Sequence, residues 1–128
     1  MICLIYVSRT DNITFENNKD ILTSSFQFNQ ENQISGALIY GLGFFIQCLE
    51  GDEERVHALY EKIAQDTRHY DVKIISKKSI DERHFPQWHM SLMNLSAYES
   101  ITDKTDFNPY EMGSDELLVL IDQVSMIV

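Results

Sequence analysis

Residues 34–66, ISGALIYGLGFFIQCLEGDEERVHALYEKIAQD, decide the reading of the fold. Ile34 to Tyr40 and Phe44 to Glu50 are two apolar runs of strand length. Gly41-Leu42-Gly43 between them supplies the permissive backbone of a hairpin. Gly51 closes the second run, and the period then changes to helical. Val56, Leu59, Tyr60 and Ile63 recur at i, i+3, i+4 and i+7, one apolar stripe on a helix from Asp52 to Asp66. Asp52 suits the N-cap, and Glu53 and Glu54 suit the positive end of the helix dipole.

Upstream, Met1 to Ser8 is rich in Ile, Leu, Tyr and Val and reads as a strand. Thr14 to Asn32 places Phe15, Ile21, Leu22, Ser25 and Phe26 near helical spacing, against the low propensity of its Asn and Ser residues. Downstream, Val72 to Ile80 is a fourth strand and Trp88 to Asn94 a fifth. The order is β-α-β-β-α-β-β, an α+β fold of ferredoxin-like type with one strand added. This predicts a five-stranded mixed sheet with two helices on one face. Strands one and three are expected as parallel neighbours, which would let Tyr6 approach Gln47. Ser114 to Val128 is an apolar-rich helix candidate. The chain thus divides into a domain at 1–94 and a short helical C-terminal extension at 95–128, packed on the sheet or holding a partner.

Composition narrows the function. The chain has 128 residues, 20 acidic against 10 basic, for a formal charge of −10. Neutralising a nucleic-acid backbone takes clustered Lys and Arg, so nucleic acid is not an expected partner. No apolar run nears the roughly 18 residues that span a bilayer, and Ile2 to Val7 is too short for a signal-peptide core. A cytoplasmic protein is expected. Cys3 and Cys48 lie in separate apolar segments without CxxC spacing, which reads as two buried reduced thiols.

Enzyme signatures are missing: the sequence has no GxSxG, HExxH, Walker A or GxGxxG. His57, His69, His84 and His89 match no common metal spacing, and no metal is expected. Polar residues inside apolar strands say more. Gln47 sits within Phe44 to Glu50, and a buried amide needs partners at both ends. These could be backbone, water or a ligand. The Tyr6 hydroxyl has the same need. Lys62, Asp66, Arg68 and His69 close the second helix, either as a solvated end matching its dipole or as a site for phosphate and ribose hydroxyls.

Taken together, these stretches resemble the BLUF domain, the FAD-binding blue-light sensor module. The match comprises Tyr6-Val7-Ser8-Arg9, Asp20-Ile21-Leu22, Asn29 seven residues before Gly36, and Phe45 to Gly51. It continues with Asp66-Thr67-Arg68-His69 and Arg83 to Met90, in register from about residue 2 to 93. The resemblance implies a short stand-alone photoreceptor with FAD held between the two helices, and not an enzyme. It implies that Asn29 holds a flavin carbonyl, that Gln47 bridges flavin and tyrosine, and that Tyr6 is the electron donor. Trp88 and Met90 would relay the signal, Ser8 would accompany them, and Ile21 would pack on the ring. Lys62, Asp66, Arg68 and His69 would face the ribityl and phosphate end. Lys62 stands where many relatives carry Arg, keeping the charge without the planar fork.

Signalling is then expected through a separate, unidentified protein or a change in self-association as a homo-oligomer. One rival reading is a flavin-binding or protein-interaction module of the same fold without photochemistry. Another is a small ferredoxin-like hydrolase of acylphosphatase type, although residues 8–14 hold none of the glycine its phosphate loop needs.

Overall fold

A computed structural model describes residues 1–11, 31–67, 69–85, 91–94 and 107–125. Strands β1 (Ile2–Arg9), β2 (Ser35–Gly41), β3 (Phe44–Gly51), β4 (Tyr70–Ser79) and β5 (Ser91–Asn94) form one sheet in the order β4-β1-β3-β2-β5. Helix α1 (Glu53–Ala64) joins β3 to β4. Helix α2 (Ser114–Ser125) follows a 3-10 turn at Pro109–Glu111. The first expected helix lies outside the described residues, except for Glu31 and Asn32, which are helical.

β1 and β3 are neighbours, but they run antiparallel and not parallel as expected: Ile2 lies opposite Gly51 and Arg9 opposite Phe44. The hairpin is the reason. Leu42 (φ 55°) and Gly43 (φ 85°) turn the chain back, so β3 opposes β2. β1 and β2 run the same way on either side of it, which leaves β3 opposed to both. The sheet is nevertheless mixed, because β5 pairs with β2 in parallel.

Alternation along the two central strands sorts their side chains. Ile2, Leu4 and Tyr6 join Phe45 and Leu49 on one face, under Val56 and Leu59 of α1. Cys3, Ile5 and Val7 join Ile46 and Cys48 on the other, where α2 inserts Leu117, Leu120 and Ile121. Both strands are covered on both sides, which is why they read as near-continuous apolar runs. Each fully buried aliphatic side chain contributes roughly 1.5–3 kcal/mol relative to exposure.

Asp52 caps α1, its side chain accepting from the Arg55 N–H. The helix ends at Ala64, two residues before the expected Asp66, because the Asp66 N–H turns back to the Ile63 carbonyl. β4 starts at Tyr70 and not at Val72. A bulge facing Val7 and Arg9, with Asp71 at φ 53°, absorbs the extra residue and breaks the alternation that marks a strand in sequence. Among the described residues, no helix is long and apolar enough to cross a membrane.

Candidate functional site

Tyr6 and Gln47 are direct cross-strand partners on the α1 face of the sheet. They are 3% and 2% exposed. The Tyr6 hydroxyl donates to Gln47 Oε1. Burial pushes the Tyr6 phenol well above its ordinary range, with Tyr60 and Asp66 adding to the shift. The phenol therefore stays protonated and remains a donor. Tyr60 of α1 meets the Tyr6 ring edge-on at 5.7 Å, fixing its plane.

With Oε1 turned to Tyr6, Gln47 presents Nε2 away from it. Among the described residues, Nε2 has no acceptor. A buried amide donor left unmade costs about 1–3 kcal/mol, so Nε2 calls for an acceptor from beyond the described residues. A planar heterocycle with carbonyl and ring-nitrogen acceptors, such as a flavin, fits it.

A second hydrogen-bonded unit stands beside the first. Ser8, fully buried and two residues along β1 on the same face, bonds through Oγ to His69 Nδ1 at 2.7 Å. His69 Nε2 lies 2.6 Å from the Ile63 carbonyl at the end of α1. A carbonyl can only accept, so in the neutral ring Nε2 carries the proton and Nδ1 accepts from Ser8. The ring packs edge-to-face near Tyr6 and Phe45, with centroids 6.3 and 6.1 Å away. Lys62 is exposed in the last turn of α1, and half-buried Asp66 lies just beyond that turn.

The structure thus brings Tyr6, Gln47, Ser8 and His69 together, with Lys62 and Asp66 at the same end of α1. Ile21, Asn29, Arg68, Trp88 and Met90 lie outside the described residues. The Ser8–His69–Ile63 link was not legible in the sequence, because its members are far apart in the chain. Nor was the role of Glu50, which is 1% exposed and takes the His84 and Phe85 amides on its two oxygens at 2.8 and 2.6 Å. An acid inside an apolar strand was its available signal. Arg83 adds a clamp, donating to Ser35 Oγ and to the carbonyls of Glu50 and Gln33.

Residues 1–91 match the family described as "BLUF: Sensors of blue-light using FAD". The chain is 46% identical over 59 residues to a photoactivated adenylate cyclase alpha subunit of Euglena gracilis, covering 46% of this chain and 6% of that protein. It is 34% identical over 71 residues to the blue light- and temperature-regulated antirepressor BluF of Escherichia coli K12, covering 56% and 18%. It therefore spans less than a fifth of these curated relatives. Among solved structures, BlsA in its photo-activated state superposes with a TM-score of 0.81 at 32% identity, covering 96% of this chain and 93% of that one. The BLUF protein BlrB in its dark state gives 0.79 at 26%, covering 95% of each.

Proposed function

The chain belongs to the BLUF family, and from that premise we propose that it is a blue-light photoreceptor binding FAD, with Tyr6 and Gln47 as its photochemical pair. The observation that carries the reading is the buried hydrogen bond from Tyr6 to Gln47 Oε1, beside an amide nitrogen with no acceptor among the described residues.

Bound flavin supplies absorption of blue light and, once excited, a strong electron acceptor. Tyr6 gives up an electron, becomes strongly acidic, and releases its proton along the existing bond to Gln47 Oε1. Gln47 suits the relay because its two ends, one accepting and one donating, exchange places on rotation or tautomerisation. Electron and proton then return to Tyr6 while the amide keeps its exchanged arrangement. The pocket ends with altered hydrogen bonds and no net redox change.

Around this pair, Asn29 would hold a flavin carbonyl, Ile21 would pack on the ring, and Lys62, Asp66, Arg68 and His69 would face the ribityl and phosphate end. Ser8 holds His69 in place beside Tyr6. Trp88 and Met90 would relay the change. Residues 1–94 act as the sensing unit. Residues 95–128 form a helical extension that packs on the sheet or holds a partner, and the protein, which is not itself an enzyme, addresses a separate signalling partner or a second copy. A local hydrogen-bond change of this kind acts by biasing a two-state element.

Absorption spectra of the purified protein before and after blue light test the reading. A flavin spectrum that shifts reversibly to the red supports it. A protein that stays colourless after reconstitution with FAD, or binds FAD without any shift, overturns it.

A further inference from the structure

We propose that Cys3, Cys48 and Glu50 form a binding site for a thiophilic divalent cation of the zinc class, on the sheet face opposite Tyr6 and Gln47. Alternation along β1 and β3 brings the three together. Cys3 pairs with Glu50 in register, and Cys48 lies two residues further along β3 on the same side. The two Sγ atoms are 3.2 Å apart, and one ligand atom from each of the three residues lies within 4.8 Å of the others. A tetrahedral ion with metal–sulfur bonds of about 2.3 Å holds two sulfurs about 3.8 Å apart. Small side-chain rotations supply that opening.

The donor set selects the metal. Two thiolates favour zinc-like ions over calcium or magnesium, which prefer oxygen alone. Cys3, Cys48 and Glu50 are 7%, 0% and 1% exposed, so charges here act through little water. Each Glu50 oxygen takes one backbone N–H, from His84 or Phe85, and keeps a lone pair for an ion. Such outer partners orient a ligating carboxylate.

A cavity of about 330 Å³, lined by Cys3, Glu50, Lys78, Arg83, His84 and Ser114, gives an entry path and room for water as a fourth ligand. Binding displaces two thiol protons to solvent. It leaves two thiolates and a carboxylate around a doubly charged ion, a net charge of −1, on a cavity wall where Lys78 and Arg83 stand with Glu82 and Asp115. No electrons move.

The test is anaerobic titration of the reduced, metal-stripped chain with Cd²⁺ and then Co²⁺, read by difference absorption. A thiolate-to-metal charge-transfer band saturating at one ion per chain, and displaced by Zn²⁺, is expected. Cys3→Ser and Cys48→Ser should each remove the band. Glu50→Gln should weaken binding by at least about tenfold. Because Cys48 is fully buried, a second readout uses the wild-type chain: one equivalent of Zn²⁺ should protect both thiols from an alkylating reagent. Absence of a saturating band or of protection overturns the site.

Discussion

Tyr6 on β1 and Gln47 on β3 stand opposite each other in register, and the phenol donates its hydrogen bond to the amide oxygen. The sheet sets this pairing, so neither side chain depends on a loop for its position. Replacing one member leaves the other buried and unpaired.

Tyr6→Phe and Gln47→Leu should therefore abolish the light-induced red shift while flavin stays bound, as read by absorption with and without illumination. Tyr6→Phe leaves Oε1 of Gln47 without its donor and should cost about 1–3 kcal/mol in urea unfolding. A normal shift in both variants would refute the roles given to these residues.

Alkaline pH should destabilise the fold through Tyr6. Its phenol is raised by burial, then by Tyr60 and Asp66, whereas the unfolded chain ionises near the ordinary value of about 10. Above about pH 10 the unfolded state binds fewer protons than the folded one, so stability falls as pH rises. The Tyr6 contribution is present in full below that pH and declines above it by up to about 1.4 kcal/mol per pH unit. Urea midpoints between about pH 9 and about pH 11 should fall less steeply in Tyr6→Phe than in wild type. Equal slopes would contradict the burial argument.

His69 should occupy the Nε2–H tautomer whenever its ring is neutral, because Nε2 faces the Ile63 carbonyl and Nδ1 faces Ser8 Oγ. Ring nitrogen chemical shifts from NMR check this directly. Ser8→Ala should shift the Nδ1 resonance and cost about 1 kcal/mol. Observing the Nδ1–H form in wild type would reverse the assigned direction of the Ser8 bond.

Gly36 should tolerate no side chain. It sits at φ 151°, and a Cβ there would come within 1.9 Å of the Cys48 carbonyl oxygen. Backbone of a central strand cannot retreat that far. Gly36→Ala should cost at least about 3 kcal/mol, whereas Gly113→Ala, whose nearest neighbour is 3.9 Å away on the Glu116 side chain, should change stability by less than about 0.5 kcal/mol. Thermal denaturation of the two variants makes the comparison, and similar melting temperatures would show that the strand can yield.

Arg83→Lys should destabilise although it keeps the charge. One guanidinium donates to Ser35 Oγ at 2.6 Å, to the Glu50 carbonyl at 2.8 Å and to the Gln33 carbonyl at 2.6 Å. An ammonium on a flexible stem cannot reproduce the fork. A loss of about 1–2 kcal/mol is expected, with faster amide exchange at His84 and Phe85. Unchanged exchange would mean that Glu50 alone holds those amides.

Local patterns in this chain carried the elements. The apolar runs 34–40 and 44–50, the glycine-flanked turn and the i, i+3, i+4, i+7 stripe of α1 depend on near neighbours, and a linear reading sees them. The strand ends were less legible at Tyr70, where a bulge set by Val7 and Arg9 breaks the alternation. Strand direction was misread for β1 and β3, because it follows from β1 and β2 running the same way and the hairpin then reversing β3, and not from either strand alone.

By itself, the sequence determined the strands, the capped helix, and that Tyr6 and Gln47 are polar residues inside apolar runs, since each rests on residue type and short-range period. Only the tertiary structure decided that these two touch, that His69 comes back to Ser8 across 61 positions, and that Glu50 and both thiols share the opposite face. Those relations come from sheet order and register, which result from packing the whole chain at once, and no short segment encodes them.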